Sequence, residues 1–176
     1  SFKNHVSVLF WSLGNESYAG DILVEMNRYY KEKDPDRLVH YEGVAENRPY
    51  EDLISDMESQ MYAPPEKIKE YLENNPKKPF ILCEYMHDMG NSLGGMESYI
   101  RLLDQYEDYQ GGFIWDYIDQ ALFVKDEVTG RDVLRYGGDF DDRPSDYEFS
   151  GNGILFADRT EKPAMQEVRH YYGLRR

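Results

Sequence analysis

The sequence predicts an α/β fold made of parallel strands joined by crossover helices. Three observations carry this. Short β-branched or aromatic runs alternate with longer segments whose apolar residues recur at helical spacing. One run, Phe80-Ile81-Leu82-Cys83, holds no charge, as a strand buried on both faces requires. Breakers such as Asp34-Pro35, Pro64-Pro65 and Asn74-Asn75-Pro76 punctuate the alternation.

Taken in order, the first strand is expected over Val6–Leu13, ending at Gly14. A helix follows with Ile22, Leu23, Met26, Tyr29 and Tyr30 at helical spacing. Leu38-Val39-His40-Tyr41 reads as a second strand, and Asp52–Tyr62 contains a third. Ile68, Tyr71 and Leu72 mark the next helix, and Phe80–Cys83 the fourth strand. A glycine-rich loop, Met89–Gly95, leads to a helix carrying Tyr99, Leu102, Leu103 and Tyr106. Gly111–Trp115 is the fifth strand. After Gln120 the style changes. Phe123-Val124 and Val133–Tyr136 flank a Thr129-Gly130 turn as a hairpin, an acidic loop spans Asp139–Glu148, and a last helix covers Ala164–Tyr172. Five parallel strands suit either an open sheet or part of a (β/α)₈ barrel. The phosphate-binding glycine fingerprint of the open nucleotide-binding sheet is missing after the first strand. A whole barrel takes about 250 residues, so this chain has the content of a second half. It opens at Ser1 and moves straight into a strand-like run, so a piece of a longer chain is expected.

The 176 residues allow one domain with a sizeable core. With 34 acidic and 20 basic side chains the net charge is −14, which argues against nucleic acid and against an anionic membrane surface. No apolar run approaches the roughly 20 residues of a membrane span, and no signal-peptide pattern opens the chain. One cysteine excludes an internal disulfide framework; Cys83 itself reads as a small buried strand residue. The sequence does not fix the compartment. Aromatics reach 15%, including 16 Tyr, and flat faces with polar tips suit sugar rings and protein interfaces alike.

In such folds the working side chains stand at the C-terminal ends of the strands. Those positions hold Asn15 and Glu16, Glu42, Tyr62, then Glu84, Tyr85 and His87, and finally Asp116 and Asp119. Glu16 and Glu84 follow the most hydrophobic strands. A carboxylate there costs free energy unless it is paired or employed. One such glutamate is most often an ordinary ion pair. Two, accompanied by Asn15, Tyr62, His87 and Trp115 at equivalent strand ends, point to the carboxylate pair of glycoside hydrolysis, one proton donor and one ionised partner. Glu42 and Asp119 read as residues that support the site from behind or serve the fold, rather than as catalytic ones.

Five blocks carry a resemblance. Trp11–Ser17 (WSLGNES), Ile81–His87 (ILCEYMH), Met89–Gly95 (MGNSLGG), Gln110–Asp116 (QGGFIWD) and Asn152–Arg159 (NGILFADR) resemble, in order, the β-galactosidases of glycoside hydrolase family 2. The resemblance runs from about Asn4 to Tyr172. It implies a partial TIM barrel, strands four to eight, followed by a β-hairpin, loop and terminal helix, with residues 1–119 as barrel and 120–176 as hairpin, metal-site loop and last helix. It implies a retaining β-galactosidase in which Glu16 is the acid/base and Glu84 the nucleophile, while Asn15, Tyr62, His87 and Trp115 bind substrate. It further implies Mg²⁺ on Glu16 and Na⁺ on the backbone carbonyl of Phe149 and the side chain of Asn152, each completed from outside this chain. Ser145 departs from the pattern, standing where well-known members carry an Asn. The expected partner is a β-galactoside such as lactose, with no nucleic acid or membrane, in a homo-oligomeric parent. The isolated chain is expected to be inactive. Two other readings stand beside this one. Gly90-Asn91-Ser92-Leu93-Gly94 matches the G-x-S-x-G elbow of serine hydrolases, with His170 as a base; a non-catalytic carbohydrate-binding fragment is the other.

Overall fold

The computed structural model describes residues 2–173. Among them the elements run β1 (Phe10–Ser12), α1 (Asp21–Lys33), β2 (Leu38–His40), α2 (Glu51–Ile54), β3 (Glu58–Met61), α3 (Pro65–Glu73), β4 (Phe80–Tyr85), α4 (Glu97–Gln105), β5 (Tyr109–Ile114), β6 (Leu122–Lys125), β7 (Asp132–Arg135) and α5 (Met165–Gly173). The chain divides into two compact units. One runs to Cys83 and resumes over Arg101–Gly112; the other takes Glu84–Ile100 and the chain from Phe113 onward.

In the first unit β1 and β2 pair in parallel, with Phe10 opposite Leu38 and Ser12 opposite His40. Parallel strands need a long crossover, and α1 supplies it. Its Leu23 and Val24, with Met26 and Tyr30, pack on Leu13, Val39, Tyr41, Val44 and Ile54. Ile22 and Tyr29, expected on this face, are exposed; the helical period was legible, but the buried stripe is shifted by one residue. Asp34 ends the helix by donating its N–H to the Tyr30 carbonyl (2.8 Å), and Pro35 stops its continuation. The strand expected from Val6 begins only at Phe10. Residues before it form turns, and the Arg37 guanidinium gathers the carbonyls of Lys3 (2.8 Å), His5 (3.0 Å) and Val8 (2.7 Å). Val6 is exposed, so its β-branched side chain finds no neighbouring strand to pack against.

The expected third strand narrows to β3, because 3₁₀ turns at Glu42–Ala45 and Arg48–Tyr50, then α2, occupy the residues before it. No ladder joins β2 to β3; the strands form sheets β1-β2, β3-β4-β5 and β6-β7. Side chains bridge the gap instead: His40 Nε2 lies 2.7 Å from Ser59 Oγ, and the Asp56 carboxylate accepts the Val39 N–H at 2.6 Å. Buried Glu58 is held by a bidentate Arg48 guanidinium at 2.7 and 2.9 Å. Pro65 opens α3 at the position where its missing N–H costs nothing.

β4 and β5 each pass from the first unit into the second. The second unit's core holds Met96, Ile154, Leu155 and Val168, flanked by Met86, Ile100, Ile114 and Met165. The hairpin expected around Thr129-Gly130 is β6–β7, antiparallel, with Phe123 opposite Leu134. Asp126 accepts from both the N–H and hydroxyl of Thr129 (2.8 and 2.6 Å), and Gly130 takes a positive φ that closes the turn.

Candidate active site

In the first unit the sequence-expected residues sit in the loops that follow strands. Asn15 and Glu16 are exposed after β1, and Tyr62 stands just past β3 with a positive φ. Glu16 also has a positive φ, +50°. For a non-glycine residue this conformation costs about 1–2 kcal/mol, so neighbouring groups must hold it. Two do. The Glu42 carboxylate, 7% exposed, accepts the Glu16 N–H at 2.5 Å. The fully buried Tyr41 hydroxyl accepts from the Ser17 N–H (3.1 Å), lies 2.7 Å from Ser17 Oγ and donates to the Ser17 carbonyl. A cavity of about 560 Å³ opens beside Glu16, walled by Ser17, Tyr18, Glu42, Glu46 and Gln60.

β4 extends two residues beyond the apolar run, so Glu84, half-buried, is the penultimate residue of the strand rather than the residue after it. The Trp115 N–H donates to the Tyr85 carbonyl (3.0 Å) and its own carbonyl accepts the Asp88 N–H (2.9 Å). That pair of bonds ties the segment carrying His87 to the end of β5. Asn152 is 2% exposed; its Nδ2 approaches His87 Nε2 at 3.4 Å, and the Phe149 ring meets the His87 ring edge-on at 5.8 Å between centroids. The structure thus gathers His87, Phe149 and Asn152.

The backbone around Asn152 is pinned on both sides. Lys162 Nζ donates to the Gly151 carbonyl (3.0 Å) and to Asp119 Oδ1 (2.7 Å), and that same Oδ1 accepts the Gly153 N–H (2.8 Å). Gly153 leaves no room for a side chain, since a Cβ there would stand 2.3 Å from the Ile118–Asp119 backbone. Among the described residues of the second unit, two buried side-chain oxygens lack a hydrogen-bond partner, Asn152 Oδ1 and Asp88 Oδ2. Burial pushes the Asp88 carboxyl above its ordinary range, with Lys162 pulling the other way and Asp119 adding to the rise.

The family model described as "Glycosyl hydrolases family 2, TIM barrel domain" matches residues 1–175. The chain belongs to glycosyl hydrolase family 2. It is 74% identical over 173 residues to the protein named "Beta-galactosidase large subunit" of Latilactobacillus sakei, covering 98% of this chain. It is 71% identical over 174 residues to the protein of the same name from Lactobacillus helveticus, covering 99%. The chain spans 28% of the length of each of these relatives. Among solved structures, a Lactobacillus rhamnosus β-glucuronidase superposes with a TM-score of 0.61 at 18% identity, over 98% of this chain and 33% of that one. That likeness speaks for the fold.

Within this family 2 chain Ser92 forms no nucleophile elbow. The strand ends at Tyr85, α4 starts at Glu97, and the Ser92 hydroxyl lies at 2.5 and 2.8 Å from the carbonyls of His87 and Met89, donating to backbone. An elbow requires strand and helix to meet at the serine. Glu42 and Asp119, read from the sequence as supporting rather than catalytic residues, each touch the backbone at or beside a candidate site residue. Their place at strand ends was the available signal. Lys162, Tyr41 and Asp88 were missed.

Proposed function

We propose that this chain is the second half of the catalytic barrel, strands four to eight, of a longer retaining β-galactosidase. Residues 1–119 would supply barrel strands and helices, and 120–176 the hairpin, metal-site loop and last helix. The observation that carries this reading is the 74% identity, over 98% of the chain, to a protein named a β-galactosidase large subunit; that name also favours assembly with further subunits. The solved neighbours named glucuronidases support only the fold, because their identity is low.

In this mechanism Glu84 attacks the anomeric carbon while Glu16 protonates the departing glycosidic oxygen, leaving a galactosyl ester on Glu84. Glu16, now a carboxylate, takes a proton from water, which breaks the ester and releases galactose with its configuration retained. Asn15, Tyr62 and His87 bind and orient the sugar, and Trp115, 37% exposed at the end of β5, is the platform beneath it. The oxygen donors suit a hard cation: Asn152 Oδ1, buried without a partner, and the Phe149 carbonyl would hold Na⁺, with a carboxylate from outside this chain. Glu16 would be one ligand of Mg²⁺. Among the described residues no group of three or more His, Cys, Asp or Glu side chains forms a metal site, so the other ligands would come from elsewhere. When bound, such ions would supply positive charge that helps orient sugar hydroxyls.

The test is the stereochemistry and specificity of the longer polypeptide. Proton NMR of a β-galactoside digest should show β-galactose first, and a β-glucuronide should be a far poorer substrate. Release of α-galactose first, or preference for the glucuronide, would overturn the reading.

A further inference from the structure

The residues that hold Glu16 are consecutive, Tyr41 and Glu42, at the end of β2. Both are buried; Glu42 Oε1 bonds the backbone of Glu16, and the Tyr41 hydroxyl bonds the backbone of Ser17. Glu42 Oε1 takes the Glu16 N–H itself. Tyr41 takes the next N–H and returns its own hydroxyl proton to the Ser17 carbonyl, so the dipeptide is gripped from both polar sides. Gly43 completes the grip, since a Cβ there would stand 2.5 Å from the Tyr41 ring and 2.6 Å from the Ser17 carbonyl.

We propose that Glu42 and Tyr41 are positioning residues for the acid/base: they hold Glu16 in its left-handed backbone conformation and so aim its carboxyl at the leaving-group oxygen. The inference rests on the reading of Glu16 as acid/base. A carboxyl displaced by an ångström still binds substrate but protonates poorly, because proton transfer needs hydrogen-bond distance to the departing oxygen. Loss of the grip therefore harms substrates that need protonation and spares those that leave unaided.

The test compares kcat/KM in the longer polypeptide for lactose, whose leaving group needs a proton, and 2,4-dinitrophenyl β-galactoside, whose leaving group does not. Glu42→Ala should lower the value for lactose by about 100-fold and that for the dinitrophenyl substrate by less than about threefold, within the range that acid catalysis contributes. Glu42→Gln keeps an oxygen acceptor for the Glu16 N–H and should recover most of the loss. Tyr41→Phe, which removes one hydroxyl and keeps the ring, should show the same selective loss and serves if Glu42→Ala does not fold. Equal losses on both substrates, or a Gln variant as poor as the Ala variant, would overturn the proposal. Glu16→Ala is the parallel arm. If it shows no leaving-group dependence, the acid/base reading itself fails; if it shows one that Glu42→Ala and Tyr41→Phe lack, the positioning role alone fails.

Discussion

Replacing Lys162 with Met should loosen the segment that carries Asn152 far more than its place in a loop suggests. The Lys162 and Asp119 side chains are each only 14% exposed, and they meet at 2.7 Å. Removing one partner of such a pair leaves the other charge buried and uncompensated, which costs about 3–5 kcal/mol. Here the orphan would be Asp119, whose Oδ1 also accepts the Gly153 N–H, and the Gly151 carbonyl would lose its donor as well. The loss falls on local opening of residues 150–156, so local hydrogen exchange is the assay. At about 1.4 kcal/mol per tenfold, even the lower figure accelerates exchange of that peptide by about 100-fold. Peptides from the β1–β2 pair should be unchanged. Adding Asp119→Asn should restore part of the protection by removing the buried charge. Acceleration below about fivefold would refute the clamp, and so would an equal effect on the β1–β2 peptides.

His40 lies buried between Ser12 Oγ (3.0 Å) and Ser59 Oγ (2.7 Å), and burial holds its imidazole down at about 4. The unfolded chain takes up that proton from about pH 6.5, so the stability is intact above 6.5 and is lost as pH falls toward 4. His40→Gln should therefore flatten the fall of the melting temperature between those values, and an unchanged slope would refute this. Asp88 behaves oppositely. Burial raises its carboxyl, so the folded state keeps the proton longer than the unfolded one and stability falls as pH rises out of the ordinary carboxylate range. Asp88→Asn should then stabilise the protein more at pH 7 than at pH 4, with the reverse order as the refuting result. The isolated 176-residue chain should not hydrolyse nitrophenyl β-galactoside, whereas the longer polypeptide should; comparable rates would contradict the fragment reading.

Much of the fold was legible because period and punctuation are local. β4 was plain from four apolar residues in a row, and α1 and α3 from helical spacing, α1 closed by Asp34-Pro35 and α3 opened after Pro64-Pro65. Phase was less legible. Whether Ile22 or Val24 faces inward depends on what packs against the helix, and Val6 failed as a strand residue because Arg37, far along the chain, claims the neighbouring carbonyls. Glu16 and Glu84 stood out because a charge after an apolar strand is conspicuous. The groups that hold the site together were hidden by separation: Glu42 lies 26 residues from Glu16, and Lys162 lies 43 from Asp119. No spacing rule links such residues. Only folding brings them together.

Glu84 as the nucleophile is the role on which the proposed mechanism turns. A 2-deoxy-2-fluoro-β-galactoside with a good leaving group, given to the longer polypeptide, should accumulate as a covalent ester, and peptide mass spectrometry should place the added mass on Glu84. Label on another carboxylate or on Ser92, or continued turnover with no label, would contradict it.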